Sequence, residues 1–270
     1  MYPNITVGDA FWIPTFYLVL SLTASLCALW VVKRARRQER SVTQALDLGL
    51  ALLVGGFFGA RIFHVFYEEP QFYRQFPLEA FKLWHGGYVF YGGMIGALLT
   101  ASLLLLWRHR QDFASQFWSW ADFFAPIGAL GYALGRLGCF LNGCCYGQAC
   151  ALPWALSFPS HEYWGMEVVA RHPTQIYALL WELAVLGILL TWERRPLLRP
   201  FSGQVFLLWL SLHSLGRLFM ELFRDDFRGP QLLGGLSVSS ALSWVFLTTA
   251  LSLWLVNYGS SRPPDLGKRL

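Results

Sequence analysis

The chain has 270 residues and a formal net charge of +5; 55% of it is hydrophobic, 17% aromatic and only 14% charged. Its mean hydropathy is +0.42, where soluble domains carry roughly 25% charged residues. These figures exclude a disordered chain, a coiled coil and a disulfide-rich mini-protein, and they call for lipid as the solvent of most side chains.

No polar block longer than about forty residues separates the apolar stretches, which predicts one membrane domain over residues 1–259 and a flexible cytoplasmic tail over 260–270. A membrane span needs about 20 apolar residues to cross a core of roughly 30 Å. Seven stretches qualify: Phe11–Val32, Leu46–Tyr67, Tyr88–Trp107, Phe117–Gly135, Gln175–Trp192, Gly203–Phe223 and Leu236–Val256. None shows the period-2 alternation of a barrel, so the predicted fold is an all-α, polytopic bundle of seven transmembrane helices. In the first stretch the charges follow the apolar run, unlike a cleaved signal peptide, and Cys27 reads as a buried apolar residue. The second carries Arg61. Gly86-Gly87 and Gly92-Gly93 bracket Tyr88 to Tyr91 and predict a bend or re-entrant entry to the third.

The fourth stretch leads into the run from Gly128 to Gly143, with Gly131, Gly135 and Gly138 between. Small residues at that spacing let helices approach closely. Glycines flanking Arg136 and Asn142 also free backbone to line a polar cavity, which lipid tolerates only where the backbone is buried or wet. Arg171-His172-Pro173 leads into the fifth stretch, and Pro173 suits a helix start. In the sixth, Arg217, Glu221 and Arg224 stand at i, i+4 and i+7, on one helix face.

Lys and Arg set the orientation. Thirteen of them follow the odd-numbered stretches (Lys33, Arg34, Arg36, Arg37 and Arg40 among them), against five in the alternate loops: Arg74, Lys82, Arg171, Arg224 and Arg228. The positive-inside rule then puts the N-terminus out and the C-terminus in the cytoplasm. The basic residues are topology signals, and no basic stripe interleaved with aromatics points to nucleic acid. Arg61, Arg136 and Arg217 remain within spans, each at about the outer headgroup level. Either the acids Glu68, Glu69, Asp122, Glu221, Asp225 and Asp226 pair with them for structure, or the arginines hold a lipid phosphate, for which the guanidinium is well shaped.

Of the five cysteines, Cys139, Cys144, Cys145 and Cys150 crowd within twelve residues. A disulfide, a metal site and a reactive thiol are all open readings, and spacing does not choose a pairing. His161-Glu162 lacks the second histidine of a zinc protease, Gly165 standing in its place. Glu68-Glu69 has no partner at a spacing that suits an intramembrane protease. A transporter would show paired broken helices in two halves, which the sequence lacks.

Six motifs, in order along nearly the whole chain, resemble the prolipoprotein diacylglyceryl transferase family. They are Gly59-Ala60-Arg61; Gly86-Gly87 with Tyr91-Gly92-Gly93 and Ile95-Gly96; Asp122-Phe123 with Ala125-Pro126; Gly135-Arg136-Leu137-Gly138 with Phe140, Asn142-Gly143 and Gly147; Arg171-His172-Pro173-Thr174-Gln175 with Tyr177; and Gly216-Arg217 with Glu221 and Arg224. The resemblance implies seven helices in the bacterial inner membrane, with the site toward the outer leaflet. It implies transfer of a diacylglyceryl group from phosphatidylglycerol to the lipobox cysteine of a preprolipoprotein signal peptide, with release of glycerol phosphate. No metal or organic cofactor and no nucleic acid is expected.

Carried onto this chain, the resemblance makes Arg136 and Arg217 catalytic, and Tyr91, at the position of a family histidine, is read as the third catalytic residue. It assigns substrate binding to Arg61, Asn142, Gly147, Glu221, Arg224, His172 and Tyr17. A thiolate must attack, because a neutral thiol is a poor nucleophile, and arginines in a low-dielectric site stabilise the departing phosphate. The chain departs from the family at four places. Tyr91 replaces a histidine proposed as base or orienting group, for which His85 and His172 are alternatives. Cys139 replaces an asparagine, Cys144 an acid, and Ile13 a tyrosine of the first span, with Tyr17 nearby. These changes bear on the acceptor: a sister enzyme with the same lipid donor and another acceptor is the nearest rival, and a non-catalytic lipid-binding or transport protein the more distant one.

Overall fold

A computed structural model describes residues 4–7, 11–83, 86–158, 169–195, 201–224 and 237–260. The chain begins with a hairpin, β1 (Asn4–Val7) against β2 (Phe11–Pro14), and passes into α1 (Thr15–Arg37). Then come α2 (Val42–Phe63), a π-helical turn over His64–Glu68, a short α3 (Pro70–Gln75) and a 3-10 turn over Pro77–Phe81. Next are α4 (Phe90–Arg108) and α5 (Phe113–Asn142). The two-residue strands β3 (Leu156–Ser157) and β4 (Ala170–Arg171) pair with each other. The chain continues with α6 (Thr174–Glu193), α7 (Gln204–Glu221) and α8 (Val238–Ser260).

Six of these helices, α1, α2 with its π turn, α4, α5, α6 and α8, are long and apolar enough to cross a membrane. The protein is therefore an all-α polytopic membrane protein. The large apolar side chains left on the surface, such as Leu29, Trp107 and Leu255, are each more than two-thirds exposed, an arrangement that water would penalise and lipid does not. The sixth expected stretch folds as α7 but is absent from that set. It has 18 residues and carries Gln204, His213, Arg217 and Glu221, three of them buried.

Three boundaries differ from expectation. Phe11–Pro14 is strand rather than helix: Pro14 disfavours the helical region for Ile13, and the segment pairs with Asn4–Val7 instead. The fourth stretch does not break at its glycines; α5 runs on through Gly135 and Gly138 to Asn142, and the first left-handed residue is Gly143, at φ 73°. Arg224 lies beyond the end of α7, so it does not share a helix face with Arg217 and Glu221.

The chain divides into two compact units. The first comprises Met1–Cys27, Ser119–Asp226 and Ser243–Leu270; the second comprises Ala28–Trp118 and Phe227–Leu242. In the second unit α2 and α4 run antiparallel at glycine-to-glycine distance. A Cβ on Gly59 would come within 2.4 Å of the Gly92 carbonyl, and one on Gly96 within 2.3 Å of the Gly55 carbonyl. One turn further on, the Thr100 hydroxyl donates to the Ala51 carbonyl at 2.7 Å. The seam thus steps by four residues on each helix, the small-residue spacing that membrane helices use for close packing. Arg108 and Asp47 close its far end with an ion pair at 2.7 Å.

In the first unit, Asp122 of α5 spends both carboxylate oxygens on the start of α7, accepting from the backbone N–H of Gly203 at 2.8 Å and of Phe206 at 2.9 Å. A carboxylate there satisfies orphan helix donors and the positive end of the dipole. Trp181 of α6 donates its indole N–H to the Leu212 carbonyl of α7 at 3.0 Å, against Gly216. Gly138 of α5 packs on Phe16 and Val19 of α1 at ordinary contact distances.

The glycine seam yields a stability prediction. Gly96→Ala forces α2 and α4 apart and should destabilise the protein by about 1–3 kcal/mol, read as a lower unfolding midpoint in detergent. Gly135→Ala, where a Cβ meets nothing within 4 Å, should leave that midpoint unchanged.

Candidate active site

Arg136 and Arg217, both in the first unit, converge on Tyr132. The Arg136 guanidinium carbon lies 4.7 Å from the centre of the Tyr132 ring, one turn earlier on α5. Arg217, only 7% exposed, lines a small cavity with Tyr132, Trp181, Glu182, His213 and Met220. The Tyr132 ring meets His213 edge-on at 4.7 Å, and His213 Nδ1 is hydrogen-bonded to Glu182 Oε1. Glu182 and His213 are 1% and 3% exposed. A carboxylate this deep in an apolar bundle persists only with a partner, and the imidazole is that partner. Sequence analysis missed both residues, although an acid inside an apolar span is itself a signal.

Gly147 explains itself sterically. It forms an antiparallel bridge with Arg224, and its N–H donates to the His172 carbonyl at 2.9 Å. A Cβ there would lie 2.3 Å from the Phe223 carbonyl oxygen and 2.9 Å from the His172 Cβ. Gln148 N–H donates to Phe223 at 2.8 Å, His172 N–H to Gln148 at 3.0 Å, and Ala149 bridges Arg171. The chain after α5, the entry to α6 and the exit of α7 are thereby stitched into one small backbone platform. It carries His172, whose ring packs on Phe223 with centroids 5.2 Å apart and whose Nδ1 is 3.3 Å from the Tyr177 hydroxyl. It also carries Arg171, over the Tyr146 ring at 5.4 Å. Pro173 immediately precedes α6, as expected.

All five cysteines of the chain carry free thiols, and three of them cluster at the edge of this platform. The sulfurs of Cys139, Cys144 and Cys145 all lie within 4.8 Å of one another. Asn142, the last residue of α5, hydrogen-bonds the Cys144 side chain. Hydrogen bonds from Cys139 and Cys144, and then the charges of Arg136 and Arg224, hold the Cys145 thiol well below its ordinary range against the effect of burial.

In the second unit, Arg61 is 4% exposed and its guanidinium is used in full by backbone carbonyls. Nε donates to Ala80 at 3.2 Å, Nη2 to Glu79 at 2.8 Å and Lys82 at 3.3 Å, and Nη1 to Gly87 at 3.3 Å and to Gly86. Gly86 and Gly87 both have φ of 80°, which gives the expected bend ahead of α4; the second glycine pair sits inside α4, on the seam. Tyr91 is buried, and its hydroxyl donates to the Ser239 carbonyl at 3.1 Å. His64 and Glu68 pair at 2.6 Å within the π turn.

The expected residues thus fall into groups. Arg136 and Arg217 meet around Tyr132; Gly147, His172 and Arg224 share the platform; Asn142 joins the thiols. Glu221 ends α7, next to the platform strand at Arg224. Tyr17 is an exposed residue of α1, edge-on to Phe16 at 5.8 Å. Among the acids, Asp122 caps α7 and Glu68 pairs with His64. His85, His161, Glu162, Gly165, Asp225, Asp226, Arg228 and the tail from 261 lie outside the described residues.

Gly147→Ala should break the bridge to Arg224, because the clash is with backbone that has no rotamer to escape into. The expected loss is about 1–3 kcal/mol of stability, with faster proteolysis between residues 143 and 158, measured by thermal unfolding and limited digestion in detergent.

The sequence is similar to known proteins over nearly its full length. A profile of the family described as prolipoprotein diacylglyceryl transferase matches residues 10–256. A phosphatidylglycerol–prolipoprotein diacylglyceryl transferase of Bordetella avium (strain 197N) is 34% identical over 257 residues, covering 94% of this chain and 92% of that protein. One from Mannheimia succiniciproducens is 35% identical over 214 residues, covering 78% and 75%. One from Geobacter sulfurreducens is 32% identical over 243 residues, covering 88% of each. With most of its length matched and its six motifs in order, the chain belongs to the prolipoprotein diacylglyceryl transferase family.

Proposed function

We propose that this protein is a phosphatidylglycerol–prolipoprotein diacylglyceryl transferase of the bacterial inner membrane. In that reaction the thiolate of a lipobox cysteine attacks the glyceryl carbon that bears the phosphate. A C–S bond forms, the C–O bond breaks, its electron pair goes to the phosphate oxygen, and glycerol phosphate leaves. The thiol proton passes to a base and from there to the leaving phosphate or to water.

The observation that carries this reading is the convergence of Arg136 and Arg217 on Tyr132. The Arg136 guanidinium carbon lies over the Tyr132 ring at 4.7 Å, a cation–π contact that keeps this charge against an aromatic wall. Arg217, buried, brings a second cation to the small cavity beside that ring. Charge that develops on a leaving phosphate is stabilised most where the donors are fixed and the dielectric is low. Glu182 and His213 hold the aromatic wall between the two arginines in place. Arg61, with its donors committed to the loop over residues 79–87, serves the headgroup pocket by holding that loop. Asn142, Gly147, Glu221, Arg224 and His172 belong to the substrate pocket, and Tyr17 to its lipid-facing side.

Tyr91 is the residue we assign to thiol deprotonation. Its hydroxyl donates to the Ser239 carbonyl at 3.1 Å, and Tyr91→Phe should lower the rate of peptide modification. Topologically, α7 is the span that completes the seven, sixth in chain order, with its buried polar residues turned to the bundle rather than to lipid. The N-terminus faces outward, the C-terminus lies in the cytoplasm, and the site opens toward the outer leaflet. The second reading keeps the donor and changes the acceptor; Tyr91 and the thiol cluster, where the family carries histidine, asparagine and an acid, favour it over a transporter.

The test is purified protein with phosphatidylglycerol and a lipobox peptide, followed by mass spectrometry. Diacylglyceryl peptide should form with the cysteine peptide and not with its Cys→Ser control. Arg136→Gln and Arg217→Gln should each lower the rate by about 10²–10³-fold while Arg→Lys retains part of it; wild-type rates in both Gln variants would sink the role assignment. Glycerol phosphate release without peptide modification would select the second reading.

A further inference from the structure

We propose that Cys139, Cys144 and Cys145 form a three-thiolate site for one soft d10 cation, Zn²⁺ or Cu⁺. The three sulfurs already lie within 4.8 Å of one another. Zinc–sulfur bonds of about 2.3 Å in tetrahedral geometry place sulfurs roughly 3.8 Å apart, and trigonal copper(I) thiolates are similar, so each sulfur needs to move by less than about 1 Å.

The backbone is built to present these thiols together. Cys139 is on the last turn of α5, and its carbonyl accepts the Cys144 N–H at 3.1 Å. Neighbouring residues in extended chain point their side chains in opposite directions. Here Gly143 at φ 73° and Cys145 at φ 61° turn the chain so that Cys144 and Cys145 face Cys139 together. A left-handed cysteine persists only where its surroundings over-determine it. They do: the Thr174 hydroxyl donates to the Cys145 carbonyl at 2.8 Å, and the Gln175 amide to the Cys144 carbonyl at 2.5 Å. Both donors belong to the first turn of α6, so the loop is pinned from outside itself.

The surroundings also suit the charge. Three thiolates around Zn²⁺ leave one negative charge, and around Cu⁺ two. The Arg136 and Arg224 guanidinium groups are the cations within electrostatic reach of these sulfurs. The Asn142 amide on the Cys144 sulfur is the kind of outer hydrogen bond that orients a metal ligand. Soft thiolates select d10 cations over Mg²⁺ or Ca²⁺. Three protein ligands complete a trigonal Cu⁺ site and leave one position of a Zn²⁺ site to water. Binding releases the thiol protons, up to three per cation, with no change of oxidation state. None of this depends on the transferase reading, and the test uses no lipid.

The full chain, purified in detergent under reductant and without oxygen, is titrated with Zn²⁺ or with Cu⁺ against a competing chelator, and separately with Co²⁺. One cation per chain is expected, with proton release and, for Co²⁺, a thiolate-to-metal charge-transfer band. Cys139→Ser and Cys144→Ser should each weaken binding by more than roughly 100-fold, beyond what loss of an outer hydrogen bond does. Cys27→Ser and Cys150→Ser should not change it. Binding of Zn²⁺ alone or Cu⁺ alone also supports the site and fixes its cation. Should the serine variants fail to fold, wild-type protein answers the question: one equivalent of cation should protect Cys139, Cys144 and Cys145 from maleimide, and chelator should restore their reactivity. Equal binding in both serine variants, no stoichiometric binding by folded, fully reduced protein, or unprotected thiols in the presence of cation would each overturn the proposal.

Discussion

A charge placed in an apolar bundle must find its counter-groups inside the protein, because lipid offers none. Most of what is specific in this structure follows from how it meets that demand. The arginines, the Glu182–His213 pair, the Asp122 cap and the glycines that bring polar backbone within reach are all answers to it. Apolar packing between helices, by contrast, gains little in a solvent as apolar as leucine. The α2–α4 seam accordingly depends on backbone contact at Gly55, Gly59, Gly92 and Gly96 rather than on large side chains.

The three arginines meet the demand in different ways. Arg61 is answered by carbonyls from Glu79 to Gly87. Those bonds saturate its donors and fix the bend before α4, so its charge is converted into architecture. Arg136 is answered by the Tyr132 ring, 4.7 Å from its guanidinium carbon. Arg217 sits in a cavity walled by Tyr132, Trp181 and the Glu182–His213 pair.

How much of this the sequence disclosed depended on whether the signal was local. Apolar runs marked seven stretches, six of which fold as helices long and apolar enough to cross a membrane, and the motifs around Arg136, Arg217 and Gly147 revealed the family. The Gly86-Gly87 bend and Pro173 at the start of α6 were equally legible, because each is a property of a few adjacent residues. The close glycine packing was expected along Gly128, Gly131 and Gly135. There a Cβ would meet at most an ordinary contact, while the real seam joins α2 to α4 and depends on register between two segments far apart in sequence. α1 begins four residues later than the apolar run for the same reason: pairing of Phe11–Pro14 with Asn4–Val7 is a preference that a hydropathy window does not see. Glu182 and His213 each look like an isolated blemish in an apolar stretch, and only the fold makes them a pair. The cysteines showed their crowding in sequence but not which three converge.

The platform after α5 bears on how such a site changes over time. Its fastenings, from Thr174 and Gln175 to the carbonyls at 145 and 144, and from Gly147 and Gln148 to His172 and Phe223, grip main chain only. Backbone grips are indifferent to side-chain identity but intolerant of an inserted or deleted residue, which would shift every partner by one. The loop is therefore fixed in length and permissive in chemistry at 139, 144 and 145. Thiols at these positions are the kind of change such a frame accepts: the wall is rewritten letter by letter while the fold around it has nothing to relearn.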